Sequence, residues 1–295
     1  MILVVGATGN LGRKVVRTLR AAGEDVRAMT RLVAKADELK ALGARPVRGD
    51  LTDPESLDFA MKGARAVVLS AHSILGRGAE SSDRVDDEGH RALIDKAKEA
   101  GVEHIIYMSV IGAAPDHPVD FWRTKARIEQ HLRDSGVGYT IIRSAAFMEV
   151  HAYQLIGKAV LEGKRVVLMG KGNNPRNFVA AEDVAKVVVG ALRIPSLRGE
   201  TVEVGGPENL TARQVVEVFR RVSGRKAKVR HIPITAVRAM ARVMKPVHPG
   251  VSRIMKLSVW HETTDQTFDP ALLKTRIPVT LTSLEQWAQN RIREA

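Results

Sequence analysis

Residues Ile2–Val5 form a short aliphatic run that ends at once in Gly6-Ala7-Thr8-Gly9-Asn10-Leu11-Gly12. An amphipathic stretch follows, with Val15, Val16 and Leu19 on one face. An aliphatic run of this length reads as a buried strand, and the 3.6-residue period after it as a helix. A strand, a glycine turn and a helix in this order set main-chain N–H groups and a helix N-terminus where a pyrophosphate can sit. Gly6 is expected to permit the tight turn, Gly9 the approach of the phosphates, and Gly12 the packing of helix on strand. The spacing is G-x-x-G-x-x-G, not G-x-G-x-x-G, so the glycines alone also fit an ordinary structural turn. Their place between strand and helix points to a dinucleotide site that includes Thr8, Asn10 and Leu11.

The alternation continues. Strands are expected at Asp25–Met29, near Arg45–Val47, and at Ala66–Leu69, His104–Met108 and Tyr139–Arg143. Helices are expected at Val33–Leu42, from Asp53-Pro54-Glu55 with Asp53 as N-cap, at Ser82–Ala100 and at Phe121–Asp134. The acids Asp83, Asp86 and Asp87 early in the third of these, with Lys96, Lys98 and then Gly101 late, suit the helix dipole and a glycine cap. Strands alternating with helices imply a doubly wound parallel sheet, an α/β class fold whose ligands bind beyond the carboxyl ends of the strands. The candidate site residues therefore lie just past each strand: Gly6 to Gly12, Thr30 and Arg31, Asp50 and Leu51, Ser70, Ala71 and His72, and Ser109 to Gly112.

The second half alternates less regularly. A helix over Val150–Glu162, a strand at Val166–Met169 and a loop at Gly170–Pro175 come first. A strand from Asn177 enters a helix near Ala181, in which Asp183 reads as an anchor. Thr201–Val204 is a strand, Thr211–Val222 a helix capped by Thr211, residues 225–280 are mixed, and Thr282–Arg293 is a closing helix. Residues 1–150 are expected to form the nucleotide core, with 176–206 returning to it. Residues 151–175 and 207–295 are expected to form a smaller α+β substrate lobe. His151 and Tyr153 are candidates for its lining. Arg238 to Lys256, rich in Met and Arg, reads either as a mobile or partner-binding surface or as a helix pair packed on the core.

Composition narrows the function. There are no cysteines, so disulfides, thiolate catalysis and Cys-ligated metals are excluded. No apolar run reaches about 18 residues, the span of a membrane helix, and no leader pattern precedes the first strand. A cytoplasmic location is expected, with no metal, no nucleic acid and no membrane span. The net charge of +13 suits an anionic ligand or an ordinary basic surface.

The end of the second strand selects the cofactor. A site that prefers NAD places Asp or Glu there for the ribose 2′-hydroxyl. This chain has Ala28-Met29-Thr30-Arg31. Thr30 can bond a phosphate oxygen, Arg31 can pair with it through two N–H groups, and Lys35 adds charge. The corner predicts the 2′-phosphate of NADP(H), unless Arg31 is simply solvated. Asp50 reads as a contact to the adenine edge or as a turn residue, with Leu51 packing on the ring.

With these residues placed, the chain resembles the NmrA-like branch of the atypical short-chain dehydrogenase/reductase superfamily. The likeness rests on VVGATGNLGRKVV (Val4 to Val16), MTR (Met29 to Arg31), GDLTDPESL (Gly49 to Leu57) and VVLSA (Val67 to Ala71). It extends through the segments Gly89 to Ala113, Thr124 to Glu149, Phe178 to Leu192 and Gly199 to Thr211. The resemblance implies a Rossmann core, NADP(H), and a family containing isoflavone-reductase-like and quinone reductases as well as redox sensors and assembly factors. It also implies a lysine at Lys125, used in relatives for acid/base work or to clamp the nicotinamide ribose. Many relatives in the wider superfamily carry Tyr-x-x-x-Lys here, but this chain has Phe121, which has no proton to give. Ser109 matches a serine that relatives place near the substrate, or is a turn serine. His72 is a contact to nicotinamide or substrate, or a loop histidine. Ser144 stands where relatives often have proline. The expected activity is NADPH-dependent reduction of a quinone, enone or similar electrophile. A sensor or assembly protein that binds another protein is the alternative.

Overall fold

The computed structural model describes residues 1–294, with Val33 described by its backbone alone. The chain divides into two compact units: Met1–Arg143 with Val184–Glu203, and Ser144–Asp183 with Val204 onward.

The first unit alternates β1 (Ile2–Val5), α1 (Asn10–Ala21), β2 (Val26–Thr30), α2 (Ala36–Ala41), β3 (Arg45–Arg48), α3 (Pro54–Met61) and β4 (Ala66–Leu69). It continues with α4 (Gly89–Glu99), β5 (His104–Val110), α5 (Asp120–Asp134) and β6 (Tyr139–Ser144). The two-residue strand β7 (Ala146–Phe147), the short helix α6 (Lys158–Leu161), β8 (Val166–Met169) and β9 (Arg176–Val179) lead into α7 (Ala181–Arg193) and β10 (Glu200–Val204). The seven-stranded sheet runs β10-β6-β5-β4-β1-β2-β3. The pairs β1–β2, β1–β4, β2–β3 and β4–β5 are parallel. The chain therefore reverses its direction of travel across the sheet between β1 and β4, the switch point where a crevice opens at the strand ends. One face of the sheet (Leu3, Val67, Ile105, Tyr107, Ile141) is buried against Leu93 and Ile94 of α4 and Ile128 and Leu132 of α5.

In the second unit β9 pairs with β7 and with β11 (Asn209–Leu210), and β8 with β12 (Val229–Ile232). The helices α8 (Ala212–Ser223), α9 (Ile234–Val247), α10 (Pro249–Thr263), α11 (Ala271–Arg276) and α12 (Leu284–Arg293) complete it. Its core joins Met148, Ile156, Val166, Phe178, Val215, Phe219 and Leu284.

Several expectations change in detail. The return to the nucleotide sheet is made by β10, whereas β9 joins the separate three-stranded sheet. The helix expected at 33–42 is a single 3₁₀ turn, Val33–Lys35, followed by α2. Asp53 precedes α3 as expected, but its side chain makes no cap bond; Pro54 supplies the helical start instead. The long helix expected at 82–100 begins as a wider π-helical stretch, Asp83–Glu88. There Asp86 is fully buried, accepting from Ser73 N at 3.0 and 3.1 Å and from Ser82 Oγ at 2.6 Å. It is thus a tie across the helix start and not a solvated dipole acid. A second π-helical stretch, Met148–Gly157, replaces most of the helix expected at 150–162. Thr211 caps α8 in a reciprocal capping box with Gln214, and Ser283 caps α12 in the same way, so the closing helix starts at Leu284 rather than Thr282. Asp183 Oδ2 accepts from Thr282 N at 2.6 Å, anchoring the approach to α12. No helix among the described residues is long and apolar enough to cross a membrane.

Candidate functional site

The glycine turn is built by backbone demands that only glycine meets. Gly6 has φ +83°, and a Cβ there would lie 2.6 Å from Ala71 N. The loops after β1 and β4 thus abut at the switch point, and no side chain fits between them. A Cβ on Gly12 would lie 2.1 Å from Gly6 O, so α1 can rest on the turn only without one. Gly9 is the N-cap of α1, with no side-chain cap bond and no acid in the first turn. The helix start keeps its N–H groups and partial positive charge for an outside acceptor. The turn fits the pyrophosphate of a dinucleotide. Ser70 faces the sheet instead, donating from Oγ to Val5 O at 2.8 Å.

Beyond β2, the expected phosphate corner carries its cations in ion pairs. Thr30 is buried, and its hydroxyl meets Leu32 N at 3.1 Å and Leu32 O at 3.2 Å. Arg31 pairs with Glu80 across the surface. Lys35 Nζ lies 2.6 Å from Glu38 Oε1, and Arg13 reaches Glu38 Oε2 at 2.5 Å while its Nε donates to Thr8 O at 3.0 Å. A cavity of about 480 Å³ opens there, lined by Thr8, Asn10, Arg13, Lys14, Arg17 and Glu38. These exposed carboxylates are weak counter-ions in water, so a phosphate dianion can compete for their cations. After β3, Asp50 Oδ1 accepts from Thr52 N and Oγ1, both at 2.9 Å. Leu51 is buried, and its carbonyl would meet a Cβ on Gly89 at 2.7 Å, so α4 passes directly over it.

A buried polar centre forms at the end of β5. Lys125, from the second turn of α5, is 4 % exposed, and its Nζ donates to Met108 O at 3.0 Å. The ammonium lies 4.8 Å from the ring centre of Tyr107 and 5.4 Å from that of Phe121. Burial pushes its pKa down to about 8, against the pull of Asp86 and Glu129. Ser109 lies within β5 rather than after it, and its Oγ donates to Glu129 Oε1 at 2.6 Å. Glu129 is itself buried and also holds Arg143 through both oxygens, at 2.9 and 2.7 Å, and Arg133 at 3.1 Å. His72 meets Phe121 edge-on, centroids 6.3 Å apart. Lys125, Ser109, Phe121 and His72 are thus joined in one neighbourhood of the first unit.

His151 and Tyr153 lie in the second unit. The His151 ring is edge-on to His261, and Tyr153 packs between Phe219 and Trp287. Asp86, Glu129 and Glu80 were missed by sequence reasoning. For Glu129 a signal existed: it is one helical turn from Lys125 on the same face. Asp86 looked like an ordinary helix-start acid, and nothing local tied Glu80 to Arg31.

Comparison with known proteins agrees with this geometry. The chain is 34% identical over 239 residues to an NAD(P)H azoreductase of Xenophilus azovorans, covering 81% of this chain and 79% of that one. It is 31% identical over 242 residues to the photosystem II assembly factor Ycf39 of Synechocystis, covering 81% and 72%. The solved structure of the NADPH-dependent quinone oxidoreductase QOR2 from Escherichia coli, complexed with NADPH, superposes with a TM-score of 0.80 at 25% identity. It covers 99% of this chain and all of that one. The profile of the NmrA-like family matches residues 1–288, and the chain belongs to that family.

Proposed function

We propose that the protein is an NADPH-dependent reductase of a quinone or a related electrophilic small molecule. The observation that carries this reading is Lys125, a buried ammonium whose pKa is about 8, held at the end of β5 on the strand-end side where the dinucleotide turn also opens. The azoreductase and quinone oxidoreductase relatives support it.

NADP(H) binds by its pyrophosphate at Gly6 to Gly12 and by its 2′-phosphate at Arg31, helped by Lys35 and Arg13. Its nicotinamide, when bound, supplies a hydride. The chain's own residues do the rest. Arg31 exchanges Glu80 for the phosphate, a stronger, bidentate partner. Lys125 holds a proton at neutral pH and can release it to an oxygen that gains charge, because its pKa lies near the working range. Met108 O fixes the ammonium, and Glu129 fixes the strand and helix that carry it. Phe121 gives nothing to this chemistry but shields it from water. An acceptor that needs little acid assistance, such as a quinone, suits a site with one proton donor.

A second reading rests on the missing tyrosine at Phe121 and on the assembly-factor relative. In it, the same site binds NADP(H) without turnover, and its redox state governs the binding of another protein.

Calorimetric titration with NADPH and NADH, followed by an acceptor screen with quinones first, tests the proposal. Arg31→Ala is expected to weaken NADPH at least tenfold and leave NADH little changed; equal weakening would remove the 2′-phosphate assignment. Lys125→Ala is expected to keep NADPH binding and lose turnover. If the wild type reduces no acceptor, and a partner is retained with NADPH but not NADP⁺, the second reading replaces the first.

A further inference from the structure

From Val218 to His261 the chain contains no Asp or Glu and eleven Lys and Arg. The segment runs from the end of α8 through β12 and α9 into the last turn of α10, where Glu262 is the first acid. Its charge is far denser than that of the whole chain, which mixes 46 basic with 33 acidic residues.

Within this segment α9 presents an unusual surface. Val237 and Ala241 are buried and mark its inward side. A helix of 3.6 residues per turn places Met240, Val243 and Val247 together on an outward arc, and all three are exposed, Val243 and Val247 by 69 and 66 %. Ala239 and Pro246 continue that arc. Arg238, Arg242 and Lys245 form a second exposed arc between it and the buried side. None of these three cations is in an ion pair among the described residues. A helix that only packs on its own unit has no use for a large aliphatic face on the far side.

We infer that the outer face of α9 is a docking surface for an anionic lipid bilayer. The helix lies in the interface, with Met240, Val243 and Val247 entering the headgroup–acyl boundary and Arg238, Arg242 and Lys245 reaching anionic headgroups. Two physical requirements meet on this face and on no ordinary one: aliphatic side chains that gain from leaving water, and cations beside them without counter-charge. A nucleic acid would reward the cations but not the aliphatics, and α9 offers no aromatic ring for a base to stack on. A second copy of the same face would bring three cations against three cations.

Co-sedimentation of the full chain with phosphatidylcholine vesicles, with and without a quarter of phosphatidylglycerol, tests the proposal. Binding is expected only with the anionic lipid and is expected to fall steeply between 50 and 300 mM salt, values chosen for the assay to span the screening range. The triple variant R238E/R242E/K245E is expected to reduce binding by at least roughly a hundredfold, taking about fivefold for each cation lost and adding the repulsion of the carboxylates gained. The variant M240S/V243S/V247S retains all charge and is expected to lose binding at least tenfold, which a purely electrostatic patch would not do. All six residues are exposed, so both variants should keep the wild-type thermal midpoint, which checks that they fold. No partition into anionic vesicles overturns the proposal, as does wild-type binding by the serine variant. Binding to a DNA or RNA duplex that the charge variant alone abolishes, without vesicle binding, assigns the face to nucleic acid. Dimers that the serine variant dissolves, without vesicle binding, assign it to a second copy.

Discussion

Under the proposed function, Lys125 as proton donor gives turnover a pH signature. With its pKa at about 8, the proton donor is present below that value and lost above it, so kcat is expected to fall about tenfold per pH unit on the alkaline side. Lys125→Arg keeps the charge at all accessible pH and should erase the alkaline limb in a pH–rate profile while lowering kcat. Lys125→Ala is expected to lower kcat by about 10²–10⁴-fold. Glu129 acts on this lysine from one turn away. Its carboxylate opposes the downward shift, so Glu129→Gln is expected to move the limb to lower pH. Breaking its ties to Arg143 and Arg133 should also cost about 2–4 kcal/mol in denaturant unfolding. Gly6 and Gly12 were legible because the demands of the turn are written locally, whereas Lys125 and Phe121 were singled out by resemblance to a motif that relatives carry along one helix. Glu80, Asp86 and the Glu129–Arg143 pair were not. Each acquires its role from a partner on another strand or loop, and nothing in an exposed-looking acid announces a partner that only the fold supplies.

The elements were legible wherever an aliphatic run or a period of 3.6 ran unbroken, which covers the central sheet strands, α1, α5 and α8. Two helices departed from the pattern, and in both a glycine pressed against a neighbour lies at the C-terminal end of the π-helical stretch. Gly89 passes over the Leu51 carbonyl, and the turn before it widens into π-helix as Asp86 is drawn inward. Gly157 sits on the face of Phe219, with a Cβ 2.4–2.6 Å from three ring atoms, at the end of the second π-helical stretch. Helical propensity alone favours alanine at such positions, and the packing overrules it. Gly89→Ala and Gly157→Ala are therefore each expected to destabilise the protein by about 1–3 kcal/mol, the opposite of the gain alanine brings on an open helix. Urea titrations of both variants check the sign.

For the whole molecule, acid is expected to be the weak side. His104 is buried with Nε2 3.0 Å from Thr140 Oγ1, and burial, aided by Arg198, pushes its pKa down to about 4. His90, fully buried, lies well below the ordinary range through burial, Lys125 and His72. An unfolded histidine titrates near 6.5. Between pH 6.5 and 4 the unfolded chain takes up protons that the folded one refuses, so stability present above 6.5 is lost as the pH falls. His104 alone should contribute on the order of 2 kcal/mol to that loss. His104→Gln is expected to flatten the slope of thermal midpoint against pH in this window, and an unchanged slope would show that other groups set it. The division of the chain has a consequence of another kind. The first unit is completed by Val184–Glu203, after the chain has already made the first stretch of the second, and β10 closes the sheet beside β6. On a ribosome, β6 must wait with one row of its backbone hydrogen-bonding groups unpaired until more than 200 residues have been made. A fragment ending near residue 150 would carry every glycine of the cofactor turn and still present an open strand to its neighbours. Such a fragment is expected to self-associate rather than to bind nucleotide, which light scattering during its expression and refolding would reveal.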